Sequence, residues 1–217
     1  IMTKITLELS GFDPSHVIGS GTTLDTARLR ARVAEYYDVN QKNVHAYVLG
    51  EHGDSAFVPW SIANISNVPI EDYGNALNKA NDYPEFDRDE VENYVRKSGA
   101  RVIARKGATF YAVSASVNKI LAALDAAYDS VATVSSMMHG EYGIDDVCLS
   151  VLTLVGPNGY QGKVHVELTE EEIEHFKSTY SKTLTEYLLS LKEAKNYKDW
   201  FVLVRTNKDL YKVYQEL

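Results

Sequence analysis

The stretch VLGEHGDSAFVPW, at residues 48–60, places a single histidine between two apolar runs. The flanking segments NVHAYVLG and AFVPWSIANI are rich in β-branched and aromatic residues, which are typical of strands. Gly50 and Gly53 allow backbone angles and close approach that residues with larger side chains would obstruct. The pattern predicts a turn between two strands that presents His52 at a strand end, where a substrate can reach it.

The rest of the sequence predicts an α+β protein in which helices pack on a largely antiparallel sheet. The opening IMTKITLEL is a short helix or strand, and DTARLRARVAEYY has the apolar spacing of an amphipathic helix. Asp87 and Glu90 form a helix start for a long helical region that reaches about Tyr128 and that Gly99 and Gly107 should bend or interrupt.

The second half alternates between strand and turn patterns. SVATVSSM, DVCLSVLTLVG and KVHVEL read as strands, and PNGYQG between the last two predicts a hairpin. Thr169 and Glu172 form a capping box for a late helix whose apolar stripe runs to Leu191, whereas residues 193–217 follow no recognisable pattern. We therefore predict a domain over 1–192 and an atypical tail over 193–217.

Composition narrows the classes of function. A formal net charge of −8, with Lys and Arg scattered among acids and no basic stripe, argues against a nucleic-acid partner. Cys148 is the only cysteine, which excludes a disulfide framework and a thiolate zinc site. No apolar run reaches membrane-spanning length and no signal peptide opens the chain, so we expect a cytoplasmic location and no membrane partner.

The segment GSGTTL, at residues 19–24, resembles a dinucleotide-binding fingerprint, with Asp38 as the matching acid. Leu24 stands where the third glycine would allow close packing of helix on strand. A Pro-containing turn precedes the segment instead of a strand. We therefore predict that this chain has no nucleotide-binding half.

A histidine that donates a proton near neutral pH needs an anionic neighbour to favour its charged form. Asp25, at the start of the predicted helix, is a better candidate than Glu51 or Asp54, because adjacent side chains in a turn tend to diverge. Arg28 follows Asp25 by three residues, on the same helical face. Spacing leaves two alternatives open: Asp25 pairs with Arg28 on a solvated face, or Asp25 holds His52 and leaves Arg28 for a carboxylate.

Metal binding is not expected, because no second histidine stands at helical spacing and no cysteine cluster is present. A serine hydrolase is also disfavoured, because the sequence has no G-x-S-x-G elbow.

Three segments taken together, VIGSGTTLDTARLR, NVHAYVLGEHGDSAFVPWS and KGATFYAVSASVNKIL, resemble the L-lactate dehydrogenases, especially the bacterial type regulated by fructose bisphosphate. VCLSVLTLVGPNG and ELTEEEIEHF continue the resemblance over about residues 1–190. It implies the fold of a lactate/malate dehydrogenase C-terminal domain, with the Rossmann domain absent.

The resemblance also implies roles for individual residues in interconverting pyruvate and L-lactate with NAD. His52 would donate and accept the proton, and Asp25 would hold its second ring nitrogen. Arg28 would bind the substrate carboxylate, Thr109 would lie near the substrate methyl group, and Val113 would pack on the nicotinamide.

Two further positions match the fructose 1,6-bisphosphate site of allosteric bacterial members. Arg30 lies two residues beyond Arg28, about 200° around the helix, and so faces elsewhere. His45 lies seven residues before His52. The alternative is an exposed arginine and an ordinary strand histidine. The family's usual assembly implies a homo-oligomer, a tetramer.

The family's N-terminal half and its mobile loop are missing from this sequence, so we expect little or no activity from the chain alone. Two other interpretations stay open. The chain could be a non-catalytic fragment or assembly module, or half of a malate or other 2-hydroxy-acid dehydrogenase.

Overall fold

Two antiparallel sheets and the helices packed on them make up the computed structural model, which describes residues 2–77, 83 and 85–178. The helices are α1 (Met2–Ser10), α2 (Thr23–Tyr37), α3 (Ile70–Ala76), α4 (Arg88–Arg96), α5 (Ser98–Lys106), α6 (Tyr111–Leu124) and α7, helical over 170–178. The strands are β1 (Val44–His45), β2 (Asn64–Ile65), β3 (Val68–Pro69), β4 (Ser130–His139), β5 (Asp145–Gly156) and β6 (Gly159–Lys163).

Within the described residues, the sheets have the orders β1-β2-β3 and β4-β5-β6, and every pairing is antiparallel. β4 and β5 form a long hairpin in which Ser130 lies opposite Val155. β5 and β6 are joined by two residues, because Gly156 already pairs with Gly159. The α+β class with antiparallel strands is thus confirmed.

Two predicted strand segments are wrong in extent. Of the segments flanking His52, only the outer ends form regular strands, and Leu49 and Phe57 add an isolated bridge with hydrogen bonds of 2.9 and 3.1 Å. The reason is Gly50, whose φ of +95° turns the chain away from Phe57 toward β5.

The third predicted strand, KVHVEL, is displaced as well. The strand is instead Gly159–Lys163, because the tight turn uses only Pro157 and Asn158.

The helical region after Asp87 is interrupted at one predicted glycine and not at the other. Gly107 ends α5 in the left-handed conformation at φ +78°, as expected. Gly99 lies inside α5, and the break falls at Lys97, where Ser98 Oγ donates a hydrogen bond of 2.7 Å to Tyr94 O. This serine competes locally with the backbone ladder.

The opening segment, predicted as a short helix or strand, is the helix α1. The capping box is confirmed, with reciprocal bonds of 3.0 and 3.2 Å between Thr169 and Glu172. The predicted continuation of this helix to Leu191 and the tail 193–217 lie outside the described residues. The segment before α2 contains the 3-10 turn Pro14–His16 and no regular strand, which agrees with rejecting the dinucleotide fingerprint.

The first turns of α2 are fixed by hydroxyl groups as well as by apolar packing. Leu29 and Val33 of α2 are fully buried in the core, but the turns that precede them are bonded to residue 48. Thr22 Oγ1 donates to Val48 O at 2.5 Å, and Val48 N donates to Thr26 Oγ1 at 3.0 Å. Both backbone groups of Val48 are therefore satisfied by side chains that flank Asp25.

β5 contacts the same region through one residue. Ser150 is fully buried, and its Oγ accepts a hydrogen bond of 3.2 Å from Thr22 N. Its backbone exchanges hydrogen bonds of 2.9 and 2.8 Å with Gly50. Ser150 thus holds the start of α2 and the segment leading to His52 in one arrangement.

Helix α6 is only lightly buried. Among its residues, Ser116 and Ile120 are buried, whereas Val113, Val117 and Leu121 are exposed. No helix in the described part of the chain is both long and apolar enough to cross a membrane.

We predict that Thr26→Val lowers the free energy of unfolding by about 1–3 kcal/mol, because it leaves the buried Val48 N–H without an acceptor. Chemical denaturation monitored by circular dichroism would measure the change. Thr6→Val, the same substitution at an exposed position of α1, is the matched control and should change stability by less than about 0.5 kcal/mol. Equal effects from both substitutions would contradict this role for Thr26.

Candidate active site

Asp25 lies in the first turn of α2, where the positive end of the helix dipole favours a negative charge. It is a buried acid, with 8% of its surface exposed. Thr22 and Thr26 on either side are bonded to Val48. The fold therefore aims this carboxylate at the segment that follows Val48.

His52 lies in the turn that follows Gly50. The left-handed φ of Gly50 is one that side chains rarely allow, so this glycine has the predicted conformational role. Gly53 does not: its φ lies outside the left-handed region, and an added Cβ would make only ordinary contacts of 3.6 Å or more with Glu51. Glu51 accepts a hydrogen bond of 2.8 Å from Ser55 Oγ.

Asp25 contacts His52, as the second of the two alternatives left open by the sequence required. His52 Nδ1 lies 2.6 Å from Asp25 Oδ2. This hydrogen bond is the main cause that raises the pKa of His52, against the opposing effect of burial. The protonated ring therefore stabilises the fold below about pH 6.5, and this contribution is lost as the pH rises through the higher folded-state pKa.

Arg28 shares the same carboxylate, although Asp25 is buried and the pair does not lie on the solvated face that the first alternative required. Arg28 Nη1 donates to Asp25 Oδ1 at 3.2 Å, while the other carboxylate oxygen faces His52. This is the only hydrogen bond that Arg28 makes within the described residues. Its guanidinium keeps further donors for an anionic ligand.

A cavity of about 200 Å³ brings these residues together with two other predicted positions. Asp25, Arg28 and His52 line one part of it. Thr109, in the loop between α5 and α6, and Val113, in the first turn of α6, line another. The cavity thus combines a proton donor, a cation and a small polar–apolar surface.

Sequence reasoning missed the contribution of α4 to this cavity. Glu92 and Arg96 both line it, and Arg96 Nη2 lies 3.5 Å from Glu92 Oε2. Trp60 Nε1 donates to the other oxygen of Glu92 at 2.6 Å. The only available signal was the spacing of four between Glu92 and Arg96, which is common on solvated helices.

Arg30 and His45 do not line the cavity. Arg30 Nε donates to Ala46 O at 3.0 Å, and its guanidinium lies 4.7 Å from the centre of the Tyr47 ring. His45 is exposed in β1, next to Ala46 in the chain. Arg30 therefore contacts the residue that follows His45 in the chain, and neither Arg30 nor His45 lines the cavity.

The chain is similar to known proteins over most of its length. A family model described as lactate/malate dehydrogenase, alpha/beta C-terminal domain, matches residues 22–195. This match covers most of the chain. The chain belongs to the lactate/malate dehydrogenase family.

Individual members of this family are similar over most of the chain. The chain is 41% identical to the L-lactate dehydrogenase of Acetivibrio thermocellus over 191 residues, which is 88% of this chain and 59% of that protein. It is 45% identical to the enzyme of Bacillus pumilus over 177 residues, which is 81% of this chain and 55% of that protein. The crystal structure of the minor L-lactate dehydrogenase of Enterococcus mundtii superposes with a TM-score of 0.77 at 32% identity, covering 84% of this chain and 57% of that one. The chain therefore spans somewhat more than half the length of the relatives it matches.

Among the described residues, no group of three or more His, Cys, Asp or Glu side chains is arranged to hold a metal ion. Within that part of the chain, the polar groups that line the cavity are suited to proton transfer and anion binding.

We predict that Asp25→Asn lowers the pKa of His52, because it removes the charged acceptor that favours the imidazolium. NMR titration of the His52 ring protons would measure the change. Asp54→Asn is the matched control, since Asp54 lines the cavity but is not the hydrogen-bond partner of His52. An unchanged His52 titration in Asp25→Asn would refute the electrostatic role of Asp25.

Proposed function

We propose that this chain is the substrate-binding and catalytic half of an NAD-dependent L-lactate dehydrogenase that interconverts pyruvate and L-lactate. The observation that carries the proposal is the hydrogen bond of 2.6 Å between His52 and Asp25, in a cavity that Arg28 also lines. Relatives named L-lactate dehydrogenase support this choice of reaction.

His52 is the proposed proton donor and acceptor. Asp25 engages Nδ1 and leaves Nε2 as the ring nitrogen available to a ligand. In pyruvate reduction, Nε2–H donates its proton to the carbonyl oxygen while a hydride arrives at the carbonyl carbon, giving the hydroxyl and C–H groups of lactate. In lactate oxidation, neutral Nε2 accepts the hydroxyl proton, and Asp25 stabilises the imidazolium that forms.

Arg28 is the proposed clamp for the substrate carboxylate. A guanidinium binds a carboxylate through two parallel hydrogen bonds, which fixes both its position and its orientation. Arg28 donates one hydrogen bond to Asp25, so a bound substrate carboxylate would share the guanidinium with Asp25. Thr109 lies at the same cavity and would contact the methyl side of the substrate.

The cavity suits a nicotinamide on one side. Val113 is an apolar residue that lines it and is 39% exposed, so it offers a surface that a flat ring could cover. NADH, when bound, supplies the hydride. The residues that would hold its phosphates belong to the length of the relatives that this chain does not span.

Several further assignments complete the proposal. Residues 1–192 form the substrate and catalytic domain, followed by a tail over 193–217, and the protein is a cytoplasmic homo-oligomer, a tetramer. Arg30 and His45 bind fructose 1,6-bisphosphate as an allosteric effector. The hydrogen bond from Arg30 to Ala46 O, next to His45 in the chain, supports this last assignment.

We predict that the chain alone oxidises NADH with pyruvate slowly or not at all, and that adding the nucleotide-binding half of the Acetivibrio thermocellus enzyme raises the rate. His52→Gln should then lower the restored rate by about 10²–10⁴-fold, because the proton donor is lost. Absorbance of NADH measures the reaction.

His16→Gln is the matched control, since His16 is exposed and does not line the cavity. Its rate should equal that of the unmodified chain. A restored rate that survives His52→Gln would rule out the mechanism. Preference for oxaloacetate over pyruvate would instead assign a malate dehydrogenase.

A further inference from the structure

A second cavity, of about 510 Å³, lies between α2 and the α4–α5 pair, and we call it the arginine groove. Arg28 and Arg32 line it from α2, and Arg101 and Arg105 line it from α5. Glu35 is the one acid among its lining residues in the described part of the chain.

Two of the guanidiniums are held in position before any ligand arrives. Arg101 Nη2 donates to Tyr94 O at 2.7 Å and to Ser98 Oγ at 2.9 Å, and the guanidinium lies 3.9 Å from the centre of the Tyr94 ring. Arg32 approaches the same ring at 4.8 Å. Arg101 is bonded through Nη2 and stacked on the ring, so the remaining donors of its guanidinium are left for an anion.

The positive charge of the groove is only partly neutralised. Glu35 is already bonded to Arg32 Nη1 at 3.0 Å, and Glu90 takes Arg32 Nη2 at 2.9 Å. Neither Arg101 nor Arg105 forms an ion pair with any described residue. Arg32 Nε is buried and has no hydrogen-bond partner within the described residues. In a chain of net charge −8, this leaves local repulsion that an anion would relieve.

We propose that the arginine groove binds a small multivalent anion of the phosphate class, with Arg101 and Arg105 as its principal ligands. Arg101 and Arg105 lie one turn apart on α5 and both line the groove, so their guanidiniums offer planar sets of donors to one tetrahedral dianion. The groove is larger than phosphate alone, so it accommodates a phosphorylated organic molecule. This inference stands independently of the proposed dehydrogenase activity.

The test is calorimetric titration of the 217-residue chain with inorganic phosphate at constant ionic strength, which holds screening fixed. We expect saturable binding that weakens by about tenfold or more in the double variant Arg101→Gln/Arg105→Gln, because two charged donors are lost. Both residues are exposed, and circular dichroism checks that the variant is folded.

Three control variants distinguish phosphate bound in the groove from phosphate bound elsewhere on the chain. Lys106→Gln removes one positive charge beside Arg105 but does not line the groove, and it should bind phosphate within about twofold of the unmodified chain. His52→Gln and Arg30→Gln address the catalytic cavity and the proposed effector site, and neither should remove the binding that the double variant loses.

The proposal is overturned by any of three results. The first is the absence of saturable binding, including the case in which sedimentation shows that a second copy of the chain covers the groove. The second is an equal loss of affinity in Lys106→Gln and in the double variant, which indicates unspecific attraction. The third is a loss in His52→Gln or Arg30→Gln while the double variant still binds.

Discussion

The site depends on how the backbone of Val48 is held. Its carbonyl and amide groups are bonded to the hydroxyls of Thr22 and Thr26, which flank Asp25. Hydrogen bonds require particular donor–acceptor distances and angles. The distance between a carboxylate on a helix and an imidazole four residues beyond Val48 is therefore set by short polar contacts, and Ser150 adds a second attachment for both segments.

Asp25 performs two electrostatic tasks with its two oxygens. One oxygen faces His52 and favours the imidazolium, while the other neutralises part of Arg28. Arg28 lines both the active-site cavity and the arginine groove. Asp25 therefore affects the charge at both places through its hydrogen bond to Arg28. The buried carboxylate of Asp25 thus interacts with the His52 imidazole and with the Arg28 guanidinium at the same time.

Local sequence signals foretold the parts of the molecule that depend on local chemistry. The capping box at Thr169, the αL glycine at Gly107 and the tight turn between β5 and β6 follow from residues within a few positions of one another. The meeting of Asp25 with His52 was anticipated because family resemblance supplied the long-range information. The groove between α2 and α5 was not, because its arginines lie about 70 residues apart and nothing local shows that their helices face each other. The strand lengths beside His52 were missed for a related reason, since Gly50 finds its partner in distant β5.

The two sides of the active-site cavity differ in how firmly they are attached to the core. His52 and Asp25 belong to segments attached to the core, whereas Thr109 and Val113 stand at the start of α6, a helix with few buried side chains. Segments that bury little apolar surface open at a lower free energy than the core around them. One side of the cavity is therefore held to the core by hydrogen bonds, whereas the other side is formed by residues that bury little apolar surface.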